Sequence, residues 1–403
     1  MGRIAIPDAR DFPATADVVI IGGGIVGAAT AFYAARAGLN TLVLEKRDGL
    51  ATLTTTSSME CIRAQFEEPE NMAMMKASIE VFENFAAVVG LPGYDISLHQ
   101  QGYLFLSADP DAPAVLRGRV ARQRNCGLED VQFLSGEEVR ARFPYLSPTV
   151  TAATFRAGDG WLSSHEATYG FAKGSVARFL LGTEVTGFLL DAQGLAGVET
   201  SRGTVHSRLA VVAAGPFSGR VAQLAGAELP LSVLRRHKAI IGQHPLVPRA
   251  APLTVDLDSG VHWRPEGPGA ALAWAEALPE QPGEPLEQVP TDWTFPCIAM
   301  EAMARLVPFW EEIADGLKKS NLFLSAGQYT VTPDHKPIIG PYAQIPGLFL
   351  NVGYSGHGIM GSPAGGRRLA DLITGRASDA DNPFSTERFA RGLVAPAGER
   401  MAL

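Results

Sequence analysis

The chain reads Gly22-Gly23-Gly24-Ile25-Val26-Gly27, with glycine at the first, third and sixth places. The β-branched run Val18-Val19-Ile20-Ile21 leads into it, and an alanine-rich stretch follows. A strand, a glycine turn and a helix in that order bring unpaired backbone N–H groups and the positive end of a helix dipole to one point, which favours a phosphate. Gly22 permits the tight turn, Gly24 lets the backbone approach a pyrophosphate, and Gly27 allows close helix–strand packing, while Ile25 and Val26 open the helix. A second β-run over residues 40–45 ends in Glu45, followed by Lys46. A carboxylate there accepts hydrogen bonds from a ribose. The unit is complete within roughly thirty residues, as a dinucleotide-binding βαβ should be. By itself it does not separate a nicotinamide from a flavin dinucleotide.

Two later segments also carry unusual residue types: Tyr329-Thr330-Val331-Thr332-Pro333-Asp334 and Gly353-Tyr354-Ser355-Gly356-His357-Gly358-Ile359-Met360. With residues 18–47 and 209–218, they resemble the D-amino-acid-oxidase-type flavoprotein superfamily. The likeness is strongest to its sarcosine oxidase branch, which includes glycine oxidase, dimethylglycine dehydrogenase and the β subunits of heteromeric sarcosine oxidases. It covers nearly the whole chain, more loosely over 91–147 and 279–320. The resemblance implies FAD and hydride transfer to flavin N5 from the carbon next to the nitrogen of a small amino acid or a secondary or tertiary amine. The imine is then hydrolysed. It further implies that Gly353, Ser355, Gly356, His357, Gly358, Ile359 and Met360 lie beside the flavin ring, ahead of a helix beginning near Ser362-Pro363 with proline at its first position. Val185 resembles the valine whose backbone pairs with adenine, Ala214-Gly215 the pair bordering the pyrophosphate, and Thr55-Thr56-Ser57-Ser58 the loop that wraps the pyrophosphate and ring edge.

Departures from the family pattern bear on mechanism. Gly327 stands where the monomeric oxidases attach FAD through cysteine, and no histidine lies near Ser58, so non-covalent FAD is expected. Met360 replaces the substrate-carboxylate lysine. Arg63 remains as a candidate carboxylate clamp, with its bidentate guanidinium geometry; the bland alternative is a structural salt bridge to Glu67 or Glu68. Tyr329 replaces an arginine of glycine oxidase, which sets the chain apart from that enzyme. Residues 271–274 lack the lysine that monomeric sarcosine oxidase places over the flavin. Slow reaction with O2 is therefore expected, with faster transfer to another acceptor. His262 and Arg264 are candidates to supply that charge, and structural roles are the alternative for both. His262, His357, Tyr329 and Arg63 complete the set of candidate catalytic residues. Two rival readings stay open: a 2-hydroxy acid dehydrogenase of the same superfamily, in which His262 or His357 would act as base, and a flavin subunit active only in a heteromer.

These residues call for an α/β fold: a Rossmann-like FAD domain made of residues 1–90, 151–228 and 322–403. A mixed or antiparallel-sheet substrate domain would take residues 91–150 and 229–321. Helices are expected over 28–37, 71–89, 111–125, 164–173 and 364–374, a strand over 179–188, and a hairpin over 198–211. A capping box at Ser135 and Glu138 marks one further helix, and a proline-rich irregular loop is expected over 279–296. The 403 residues, 46% hydrophobic and 19% charged, suit a globular enzyme. A net charge of −8 argues against nucleic acid. The run Arg235-Arg236-His237-Lys238 reads as the start of a strand with one solvated face. Three cysteines without metal-ligand spacing suit a reducing, cytoplasmic setting and no metal site. No signal peptide and no membrane span are expected; the apolar stretch 18–35 is interrupted by glycines. The partners expected are a small amine or amino acid and O2 or another electron acceptor, with homo- or hetero-oligomerisation open.

Overall fold

The strand Val18–Ile21 is buried at every residue and pairs in parallel with Thr41–Leu44 on one side and Ala210–Val212 on the other. Burial on both faces explains its unbroken β-branched run. The computed structural model describes residues 3–8, 11–275 and 282–392. Outside them lie residues 279–281 of the proline-rich stretch and the ends of the two outermost expected segments.

The first sheet has seven strands, in the order Arg3–Ala5, Arg178–Leu180, Thr41–Leu44, Val18–Ile21, Ala210–Val212, Leu348–Val352, Ile338–Pro341. The helix Ile25–Arg36 packs between Ser164–Gly174 and Gly358–Ile373 on one face. A small antiparallel sheet, Val185–Asp191, Gly194–Thr200 and Gly203–His206, adjoins it.

The second large sheet has eight strands, in the order Leu322–Val331, Ser232–Ile241, Gly269–Ala273, His262–Glu266, Leu253–Asp256, Tyr103–Ser107, Ala152–Arg156, Gln132–Ser135. Leu253–Asp256 and Tyr103–Ser107 pair in parallel and their neighbours antiparallel, so the sheet is mixed. Its two faces follow the period of two. Trp263, Leu272, Ala239 and Leu104 enter a core shared with the helices Phe295–Ala304 and Phe309–Gly316. Tyr103, Phe105, Val255, Ala271 and Ala273 face the other way, into the core shared with the dinucleotide layers. Ala152–Arg156 and Leu322–Val331, expected in the FAD segments, are strands of this second sheet.

Several elements differ from the sequence reading. The expected strand over 179–188 is two strands in different sheets, broken where Gly182 takes φ 57° and donates to the Arg47 carbonyl. The expected hairpin is Gly194–Thr200 with Gly203–His206, and Ala210–Val212 belongs to the parallel sheet. The helix over 71–89 is two, Pro69–Glu83 and Phe85–Val89; at the break the Asn84 side-chain amide takes the Glu80 carbonyl. The last long helix begins at Gly358, with Pro363 inside it. Proline there offers no N–H to the Ile359 carbonyl, and the Ser362 hydroxyl donates to it instead, at 3.0 Å. The basic run is no solvated face, since His237 and Lys238 are buried. The capping box at Ser135 forms as read. Among the described residues no helix is long and apolar enough to cross a membrane.

Candidate cofactor and substrate site

The glycine turn divides its work among its residues. Gly22 has φ 116°, and a Cβ there would lie 2.4 Å from the Ala213 carbonyl oxygen. A Cβ on Gly27 would lie 1.9 Å from the Gly22 carbonyl oxygen. Both positions are closed by the chain's own backbone. A Cβ on Gly24 would meet only the Thr55 hydroxyl, at 3.4 Å, so this position opens onto the cleft. At the helix start the Ile25 N–H points at the same hydroxyl, at 3.4 Å. Glu45 accepts from the Gly23 N–H at 2.6 Å and from the Arg47 N–H at 2.8 Å. Burial raises its pKa, and these two N–H groups oppose the rise.

A cleft of about 740 Å³ opens over this turn. It is lined by Gly22, Gly24, Ile25, Val26, Glu45, Lys46, Thr55, Ser58, Val185, Ala214 and Gly215, and also by Tyr329, Gly353, Ser355, Gly356, Gly358 and Ile359. Gly27, Thr56, Ser57, His357 and Met360 stand behind that surface. The Thr56 and Ser57 hydroxyls donate back to the Leu53 carbonyl, and Met360 is packed in the core. The residues fit FAD. An acid terminates the second strand, an open glycine backs the helix N-terminus, and a second glycine-rich turn closes the far wall. The two late segments are joined directly: Ser355, at φ 49°, donates its N–H to the Thr330 carbonyl at 2.9 Å. Its hydroxyl accepts from the Thr332 N–H. Asp334 takes Arg388 in a bidentate pair at 2.7 and 3.1 Å, which ties the Thr-Pro-Asp turn to the helix Glu387–Ala390. At Gly327 a Cβ would lie 2.8 Å from the Ser57 Cβ, so this strand packs on the short helix Thr54–Ser57, where the expected loop lies, with no space for a side chain.

Arg63 is fully buried. Its guanidinium lies 3.9 Å from the Phe66 ring centroid and donates to the Gln65 carbonyl. Of its alternative partners, Glu67 pairs with Arg119 at 2.8 Å, and Glu68 accepts from the Asn71 amide. His357 sits beside Arg63, and its pKa is pushed well down by burial and then by the Arg63 charge. His262 is lowered to about 4, again by burial first, although its Nδ1 meets the Gly260 carbonyl at 3.1 Å.

Lys238, Ala273 and His262 stand in register across three neighbouring strands, on one face of the sheet. Lys238 and His262 line a small cavity with Arg236, Ser58 and Tyr329, and the last two also line the cofactor cleft. The missing lysine of residues 271–274 is thus matched by a buried cation one strand away. The Lys238 Nζ donates to the carbonyls of Thr56 at 3.0 Å and Ser58 at 2.8 Å. Burial lowers its pKa, and the Glu60 carboxylate opposes this. Arg264 is spoken for: it pairs with Glu60 and Glu266 and donates to the Met59 carbonyl at 2.9 Å. The Cys61 thiol donates to that same carbonyl, and burial pushes its pKa up to about 12, so it is inert packing. The sequence allows that the run 235–238 projects a side chain inward, but does not single out Lys238 or Arg236. Strand alternation over 235–238 was the available signal, because residues two apart share a face.

Comparison with known proteins identifies the family. The DAO family model, described as FAD dependent oxidoreductase, matches residues 17–372. A Bos taurus FAD-dependent oxidoreductase domain-containing protein 1 is 27% identical, over 94% of this chain and 85% of its own. An Arthrobacter sarcosine oxidase subunit beta is 27% identical, over 93% and 91%. The crystal structure of L-proline dehydrogenase from P. horikoshii superposes with a TM-score of 0.82 at 28% identity, covering 94% of this chain and 99% of that one. The open glycine, the acid at the strand end and the joined late turns are therefore read with the family match: the chain belongs to the FAD-dependent oxidoreductases of the DAO family.

Proposed function

We propose that the chain oxidises the C–N bond of a small secondary or N-methyl amino acid, with Arg63 as the carboxylate clamp. The observation that carries this reading is the pairing of buried cations with weakly basic histidines. Arg63 and Lys238 are buried, and His262 is lowered to about 4. Buried positive charge attracts a carboxylate and disfavours an ammonium, so a bound amine is held neutral with its lone pair available. A hydroxyl substrate needs a base for its O–H proton, and a histidine this weakly basic serves poorly. A neutral amine needs none. FAD, when bound, supplies the two-electron acceptor for the hydride leaving the adjacent carbon. The chain's residues orient the substrate and exclude water until the imine forms, after which water hydrolyses it. The names of two relatives support the substrate class, since sarcosine and proline are both secondary amines bearing a carboxylate.

The test is flavin bleaching without oxygen, with N-methyl amino acids, proline-like amino acids, matched 2-hydroxy acids and amines lacking a carboxylate. Bleaching confined to amino acids bearing a secondary nitrogen is the expected result. Faster bleaching by a 2-hydroxy acid would refute the reading. Inactivity of the isolated chain toward the whole panel would point to a subunit that needs its complex.

A further inference from the structure

The mouth of the FAD cleft is crossed by a segment that no dinucleotide motif predicts. Pro285 and Glu287 line the cleft, and Pro285 is buried. On one wall, just past Glu45, Arg47 donates to the Glu287 carbonyl at 2.6 Å and pairs with its carboxylate at 2.8 Å. Lys46 pairs with the same carboxylate and reaches Glu184 at 3.1 Å. On the other wall Arg220, in the helix Ser218–Gln223, takes Glu284 at 3.0 Å. Between these ends the segment is fixed to the second sheet. The buried Gln328 amide accepts from the Leu286 N–H at 2.7 Å and donates to the Glu284 carbonyl at 3.0 Å. The Gly283 N–H donates to the Val233 carbonyl.

We infer that residues 284–287 are a strap across the cleft, hinged on Gln328 and latched to both walls by ion pairs, and that opening the latches sets how fast FAD enters and leaves. The inference rests on the cleft being the FAD site. The two kinds of attachment differ in strength and in response to salt. Side-chain exposure is 44% for Glu287 and 77% for Glu284, so their ion pairs are weak and screened. The Gln328 bonds are half-buried and join neutral groups, which salt affects little. Exposed latches on a better-protected hinge let the segment open and return to the same place.

The experiment uses the holoprotein and follows the rise of flavin fluorescence on FAD release, at low salt and at 1 M NaCl. The double variant Glu284→Gln/Glu287→Gln should release FAD roughly three- to tenfold faster at low salt, the range expected for losing two exposed ion-pair clusters. Added salt should speed release from the native protein toward the variant's rate and change the variant little. Gln328→Ala should speed release at both salt levels. A double variant that binds FAD yet releases it at the native rate, or that keeps the native response to salt, overturns the strap alone. A native chain that binds no FAD overturns the cleft assignment and the strap with it.

Discussion

The guanidinium of Arg63 lies 3.4 Å from Nε2 of His357, and both side chains are buried against the Phe66 ring. The arginine charge and the depressed histidine basicity are therefore one arrangement. Arg63→Lys keeps a charge and loses the planar fork. For a substrate bearing a carboxylate, Arg63→Ala should lower kcat/KM by a factor equivalent to about 1.5–3 kcal/mol of lost charge-assisted contact, and Arg63→Lys by less. Amines without a carboxylate should be unaffected. Equal losses for both classes in steady-state kinetics would show that Arg63 serves the fold alone.

Burial sets the acid behaviour of His262. Its folded pKa, about 4, lies below the unfolded value near 6.5, so below pH 6.5 the unfolded chain takes up a proton that the folded one refuses. The neutral histidine's contribution is whole above pH 6.5 and is lost as pH falls toward 4, at most about 3 kcal/mol. His262→Gln should flatten this part of the stability profile, read by denaturant titration at pH 7 and pH 5. Carboxylates titrate in both proteins and cancel in the difference. Parallel profiles for the two proteins would contradict the assignment.

Two glycines of one turn should fail in different ways. Gly27→Ala sets a methyl 1.9 Å from the Gly22 carbonyl and should destabilise the chain itself, seen as a lowered melting temperature of the apoprotein. Gly24→Val adds its first carbon without a clash, only the Thr55 hydroxyl being near, and should keep the apoprotein's melting while losing bound flavin. The ratio of flavin to protein absorbance separates them. With no side chain at Gly327 to attach it, the flavin of the native protein should pass into the supernatant on acid precipitation.

Lys238 motivates a prediction opposite to the expectation of slow reaction with oxygen. An ammonium beside the cavity that adjoins the cofactor cleft stabilises negative charge formed there when O2 takes an electron. Lys238→Met should slow reoxidation by oxygen about tenfold or more, given the low local dielectric, and slow reoxidation by a dye far less. Stopped-flow mixing of reduced enzyme with each acceptor reads the two rates, and His262→Ala is the control on the same face. Equal slowing toward both acceptors would mean that Lys238 acts only by holding the Thr56 and Ser58 carbonyls.

The strand, turn and helix around Gly22 were legible because each residue type answers a local demand of backbone and phosphate. The late segments were legible by resemblance, and their joint through Ser355 and Thr330 gives that resemblance a physical basis. What escaped depended on partners distant in sequence. Lys238 is one charge among four basic residues until the register with Ala273 and His262 shows which way it points. Pro363 read as a helix start because the Ser362 hydroxyl that tolerates it inside a helix leaves no pattern in the sequence. The 284–287 segment read as irregular loop, as its backbone is, and its meaning lies in Arg47, Arg220 and Gln328.

The two large sheets are interleaved along the chain, and each waits for a strand made late. Leu322–Val331 covers one side of Ser232–Ile241, and Leu348–Val352 covers one side of Ala210–Val212. On the ribosome, both earlier strands present an open edge until those residues emerge, and an open edge is a template for pairing with another chain. The Gly22–Gly27 turn leaves the ribosome well before the wall opposite it, Gly353–Ile359. A nascent chain therefore carries its phosphate-binding turn well before the wall that faces it across the cleft.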